Sequence, residues 1–210
     1  MFLATIPVRC HTCGIKFNSR QLPVITDTGI RNSELRQDFE GLAEQFEPYV
    51  ICTCPSCGKA DWFLNFQVTQ EVAVLNQPNT TPHLQYRAAA LAAEKNGGEF
   101  YNIGLFYLHA AWCADDARAY PQAREYRKFA ADAFSKSLMD ISCPEELRSS
   151  TEYLIGELYR KAGEFEKCKA YFSQIIGRLP ASYAYMARKV TKLATMSNMD
   201  SIRFESDRLR

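Results

Sequence analysis

These 210 residues contain no run of about 18 apolar residues, so nothing in the sequence is long enough to span a bilayer as a helix. Net charge is nearly absent. Twenty-five Lys and Arg oppose 24 Asp and Glu, leaving +1, which is no field to draw the chain to nucleic acid or an anionic membrane. Histidine is scarce, and His11, His83 and His109 are too widely spaced to make a His-x-x-x-His zinc pair. Glycine-rich phosphate loops and Gly-x-Ser-x-Gly elbows are missing as well. The adjacent carboxylates Asp115-Asp116 and Glu145-Glu146 point to different sides of a helix and read as solvated faces. No export signal is visible: Met1–Val8 is apolar but short, contains Pro7, and has its basic residue, Arg9, behind it rather than ahead. The expected location is cytoplasmic, where paired cysteines serve metals more often than disulfides.

Cysteine, by contrast, is plentiful: there are eight. Four stand in two pairs, each closed by glycine, Cys10-His11-Thr12-Cys13-Gly14 and Cys54-Pro55-Ser56-Cys57-Gly58. Two residues between thiols let one tight turn present both sulfurs to one ion, and the following glycine can take a positive φ that aims backbone N–H groups at the thiolates. Cys10, Cys13, Cys54 and Cys57 are therefore the expected ligands of one structural Zn²⁺, with all four positions closed. Ligand type alone does not separate zinc from iron in such a cage. Cys52 is a rival for Cys54, which has the better spacing. Neither pair precedes a clear helix, as a thioredoxin-like redox pair would. Cys113 and Cys168 read as small buried residues. Cys143 stands near a helix start, where a thiolate gains from the dipole.

The chain divides by periodicity. Residues 1–75 hold short β-like runs around the two pairs and are read as a zinc-ribbon module. Leu35, Phe39, Leu42 and Phe46 recur at helical spacing, so a short helix inserted over Ser33–Phe46 is expected. Residues 76–82 read as a linker. Residues 83–210 read as six helices: His83–Asn96, Glu99–Ala117, Pro121–Met139, Ser142–Ala162, Glu164–Arg178 and Ser182–Ser197, punctuated by Gly97-Gly98, Gly163 and Pro180. The charged tail, 200–210, is a last helix or frayed. The fold class expected is mainly α, an array of helical hairpins carrying a small β-rich zinc module.

One stretch of the helices has a repeat signature. With Ser149 as position 1, Gly156, Tyr159, Gly163, Phe172 and Pro180 occupy positions 8, 11, 15, 24 and 32 of a unit of about 34 residues. That spacing is the tetratricopeptide pattern. Cys168 takes the small position at the helix crossing, and Glu152 departs from the usual Trp. Leu108, Trp112, Ala130, Phe134 and Leu138 suggest the same pair with a longer hairpin. The two knuckles, with Leu108-His109-Ala110-Ala111-Trp112 and Tyr153-Leu154-Ile155-Gly156-Glu157-Leu158-Tyr159, resemble a bacterial family of unknown function, domain of unknown function 2225. The resemblance implies an N-terminal zinc ribbon joined to tetratricopeptide-like helices, with Cys10, Cys13, Cys54 and Cys57 on the metal. It brings no established activity.

The expectation for function is a non-catalytic scaffold that binds a protein or peptide in a groove. Ser150, Tyr153, Glu157, Arg160 and Lys161 fall at the positions that face the groove in such repeats. Nucleic-acid binding through the ribbon is the alternative. It is opposed by eight acidic against six basic residues over positions 1–80, an imbalance that four thiolates on one zinc would deepen. A thiol or metal enzyme is the third reading, disfavoured because a four-sulfur cage leaves no open coordination position.

Overall fold

The computed structural model describes residues 5–21, 25–41 and 46–205. Nine short strands and seven helices follow one another among them: β1 (Thr5–Arg9), β2 (Lys16–Arg20), β3 (Ile25–Asn32), β4 (Gln37–Gly41), α1 (Glu47–Val50), β5 (Ile51–Thr53), β6 (Ala60–Trp62), β7 (Gln67–Val68), β8 (Leu75–Asn76), α2 (Pro82–Lys95), α3 (Phe100–Asp116), α4 (Tyr120–Met139), α5 (Arg148–Lys161), α6 (Phe165–Ile175), α7 (Ala181–Thr195) and β9 (Arg203–Glu205). The molecule is mainly α with a small β region at its N-terminal side. No helix among the described residues is long and apolar enough to cross a membrane.

The helical limits fall close to their sequence signals. Pro82 and Pro121 stand in the first turns of α2 and α4, where a missing N–H costs nothing. Gly97 and Gly163 follow α2 and α5 at φ of 68° and 84°, the left-handed conformation that closes a helix without a Cβ penalty. From α2 onward consecutive helices pack on one another, α5 also touches α7, and α1 touches α3. Two of these crossings depend on glycine. A Cβ on Gly104 would lie 2.6 Å from the Phe134 ring, and one on Gly156 would lie 2.4 Å from the Phe172 ring. Phe134 and Phe172 are buried at 1% exposure each, so each contributes roughly 2–3 kcal/mol of transfer free energy.

The N-terminal part is three small sheets: β7-β1-β2-β8, β4-β3-β9 and β5-β6. Residues 76–82, read as a linker, begin with a contact to the first knuckle hairpin. Leu75 and Asn76 pair in parallel with Phe17 and Asn18, and the Gln77 amide donates to the Asn18 carbonyl at 2.9 Å. The β5-β6 hairpin docks on the helices through Trp62. Its ring stacks on Phe106 at 4.6 Å between centroids, and its Nε1 donates to Asn102 Oδ1 at 2.7 Å.

Two expectations are corrected. The helix read over Ser33–Phe46 is not formed: β4 occupies 37–41, and 33–36 is a tight turn closing the β3-β4 hairpin; Leu42 and residues 43–45 lie outside the described residues. The turn is set locally. Asn32 Oδ1 accepts the amides of Glu34 and Arg36 at 2.8 and 3.1 Å, and Leu35 takes φ 62°. The tail is also not helical where described. β9 pairs antiparallel with β3, setting Phe204 against Arg31.

Candidate metal centre

Each cysteine pair sits at the tip of a β-hairpin, and the two tips are built alike. In the first, the Cys10 amide donates to the Ile15 carbonyl at 2.9 Å and the Gly14 amide to the Cys10 carbonyl at 2.8 Å. In the second, the Cys54 amide donates to Lys59 at 2.9 Å and the Gly58 amide to Cys54 at 3.0 Å. Gly14 and Gly58 have φ of 75° and 73°, which glycine adopts without strain. Within each tip the first cysteine is buried and the second exposed.

These two turns bring four sulfurs to one point. Cys10 Sγ lies 3.7 Å from Cys57 Sγ, Cys13 Sγ lies 3.6 Å from Cys54 Sγ, and all four atoms lie within 4.8 Å of one another. Four sulfurs about 2.3 Å from a common centre would be about 3.8 Å apart, the edge of a tetrahedral zinc–thiolate site. The residues present therefore fit one tetrahedral metal ion. Burial raises the Cys10 thiol, yet the Cys13 and Thr12 amides and the Cys57 and Cys54 thiols outweigh it and hold it at about 7. Burial, followed by the Cys13 and Cys57 thiols, pushes Cys54 up to about 12. A divalent cation bound there would hold all four as thiolates.

Cys52 is not in the cage. Its thiol is buried and donates to Ser19 Oγ at 3.3 Å. Beneath the knuckles, Val8, Phe17, Cys52 and Phe66 form a separate apolar core, with Phe17 and Phe66 edge to face at 5.8 Å. His11 points away from the sulfurs and bonds through Nδ1 with the Asn65 carbonyl at 2.9 Å.

A family model described as "Uncharacterized protein conserved in bacteria (DUF2225)" matches residues 79–196, more than half the chain. The chain belongs to this family. The matched region covers α2 to α7, so both cysteine turns lie outside it. No curated protein and no solved structure matches.

The five residues expected to line a partner groove do share one face of α5, but that face is covered by the chain itself. Tyr153, Glu157 and Arg160 have no exposed surface. Tyr153 Oη donates to the Ser33 carbonyl at 2.8 Å. Arg160 holds Glu157 through two hydrogen bonds of 2.8 and 2.6 Å and donates to the carbonyls of Asn198 and Asp200. Lys161 donates to the Met199 carbonyl and Ser201 Oγ, and Ser150 Oγ turns back to its own helix at the Leu147 carbonyl. An open peptide groove at these positions is thus corrected to a closed one, filled by the 33–36 turn and the 198–202 strap.

The filling is ionic as well as apolar, and spacing in the sequence does not announce it. Glu34, at the tip of the turn, is held by Arg127 of α4, which also reaches Asp115. Burial disfavours the Glu34 carboxylate, and the Arg127 charge more than offsets this, so its pKa falls below the usual range. Arg36 clasps Glu47 and Asp116 together, its guanidinium lying 5.7 Å from the Trp112 ring. Glu157 is shifted the other way: its burial outweighs Arg160, and its pKa rises.

Proposed function

We propose that this protein is a cytoplasmic, non-catalytic scaffold: a zinc ribbon seated on a short tetratricopeptide-like array, with another protein as its partner. One observation carries the reading. The four-sulfur cage would leave its metal no open coordination position, so the ion shapes the chain without activating water or substrate. Zinc is favoured over iron because the role is structural and needs no redox change.

Two further observations support it. The Gly104–Phe134 crossing repeats the Gly156–Phe172 crossing, as two units of one repeat would. The thiols outside the cage are buried, and burial pushes Cys168 up to about 12 and Cys113 well above its ordinary value, unlike an activated nucleophile. Tyr153 and Arg160 are buried too, so the partner reads some other surface of the helices.

Cross-linking mass spectrometry with the zinc-loaded chain in extract of its native host tests this. The expected result is a protein partner joined to residues of α2–α7, with weak retention of the free chain on heparin. Metal-dependent hydrolysis, thiol turnover or tight, salt-sensitive retention on heparin would overturn it.

A further inference from the structure

The face that sequence spacing assigns to a partner is closed, but another groove lies open. It runs between the α2–α3 turn, the start of α3, the second half of α4 and residues 140–142, and encloses about 870 Å³. Its apolar surface comes from Phe100, Ile103, Phe129, Ala133 and Ile141. Ile141 is 86% exposed, its neighbour Met139 is 76% exposed, and Phe129 is 39% exposed. Large apolar side chains clustered at a concavity are a usual mark of an interaction site.

The charge around this groove is mostly negative. Glu94, Glu99, Asp132 and Asp140 line it and are all exposed. Its one lining cation, Lys136, stands 5.3 Å from the centre of the Phe100 ring. On the closed face the carboxylates are spent differently: Glu34, Glu47, Asp115, Asp116 and Glu157 are each held by an arginine. None of the open groove's carboxylates is paired with an arginine or lysine among the described residues; Asp140 Oδ1 accepts only from the Ser142 amide and hydroxyl, so together they project a negative field over an apolar floor.

Ile141 adds a backbone observation. It sits at φ 64°, a conformation that costs a β-branched residue on the order of 1–3 kcal/mol. Glycine or asparagine would serve the turn better, yet an isoleucine is placed there with its side chain in water.

We propose that this groove is a docking site for a basic peptide segment that inserts an apolar side chain between Phe100, Phe129 and Ile141 while its Lys or Arg residues meet Glu94, Glu99, Asp132 and Asp140. The assignment rests on the scaffold reading and names the class of partner for it.

The test uses the zinc-loaded full chain, ¹⁵N-labelled, and a twelve-residue fluorescein-labelled peptide of lysines with leucines at i and i+4. A control peptide carries glutamate for every lysine. Binding of the lysine peptide is expected to shift amide signals of Gly97, Gly98, Ile103, Ala133 and Ile141, and to weaken as salt rises. Glu99→Lys with Asp132→Lys should weaken it at least about tenfold. Ile141→Gly should weaken it too while raising the midpoint of thermal unfolding, because glycine relieves the left-handed backbone. Equal binding of the acidic peptide, shifts centred elsewhere, or affinity unmoved by the double charge reversal would overturn the assignment. If the peptide fails while cross-linking still finds a partner elsewhere on the helices, the groove assignment falls and the scaffold reading stands.

Discussion

Glu34 and Arg127 are 93 residues apart in the chain and meet through two hydrogen bonds of 2.7 and 2.8 Å, with each side chain only 2% exposed. The pair rivets the hairpin turn of the N-terminal part to α4. Removing one partner leaves the other charge buried and unpaired, which typically costs about 3–5 kcal/mol. Glu34→Gln is expected to lower the urea midpoint by an amount in that range, moderated by the Asp115 carboxylate that also contacts Arg127. Replacing both residues, Glu34→Leu with Arg127→Met, should cost much less than the single change. A double-mutant cycle read by urea unfolding checks the difference.

The close crossings set a second expectation. Gly156→Ala would place a methyl carbon 2.4 Å from the Phe172 ring, so the ring or the helix must move. Overpacking of this kind costs about 1–3 kcal/mol. Phe172→Leu alone leaves a cavity, but added to Gly156→Ala it should recover part of the loss. Thermal unfolding of the two single variants and the double variant checks that coupling.

His109 makes stability depend on acid. It is buried among Trp62, Tyr86 and Trp112, its Nδ1 has no hydrogen-bond partner, and burial lowers its pKa to about 4. The unfolded chain takes up this proton near pH 6.5, so the folded state binds fewer protons between those values. Its contribution is present above about 6.5 and is lost as pH falls toward 4, by about 3 kcal/mol in all. Glu34 has the same sign at lower pH, since its folded pKa is depressed below 4.5. His109→Phe should flatten the stability curve between pH 6.5 and 4 and leave the steeper fall below 4.5. Urea midpoints measured across that range give the comparison.

Metal removal is the fourth expectation. The zinc-loaded chain should carry one ion, read by native mass spectrometry. Cys10→Ser or Cys57→Ser should abolish it, whereas Cys52→Ser should keep it, because Cys52 bonds to Ser19 outside the cage. Strong chelation should abolish the near-ultraviolet signal of Trp62, whose hairpin carries the second knuckle, while most far-ultraviolet helicity persists. Most of the apolar core spanning α2 to α5 comes from the helices themselves, with only Ile51 and Ala60 of its buried members on the knuckle hairpin.

Much of this architecture can be read from residues alone, for physical reasons. The knuckles are legible because four thiols and two glycines in a fixed local spacing have few other uses. The helices are legible because Gly97, Gly163, Pro121 and Pro180 punctuate long periodic stretches. The β3-β4 hairpin is not, since Leu35, Phe39, Leu42 and Phe46 mimic a helical stripe. What decides it is distant: Glu34 and Arg36 find their partners on α3 and α4, and β3 finds β9. The closed face was hidden for the same reason. Spacing says that Tyr153, Glu157 and Arg160 share one side of a helix, but not what covers that side. The Gly104–Phe134 crossing is not legible from spacing, because the long hairpin between the two residues stretches the separation found in the Gly156–Phe172 pair.

The pairing of β9 with β3 has a consequence for biosynthesis. Strand Ile25–Asn32 leaves the ribosome early, and one of its edges is completed only by Arg203–Glu205, made almost 180 residues later. Until then that edge offers unpaired N–H and C=O groups to any passing strand. Formation of the helices alone therefore leaves this edge open, and it closes only once Arg203–Glu205 has been made and has paired with Ile30–Asn32.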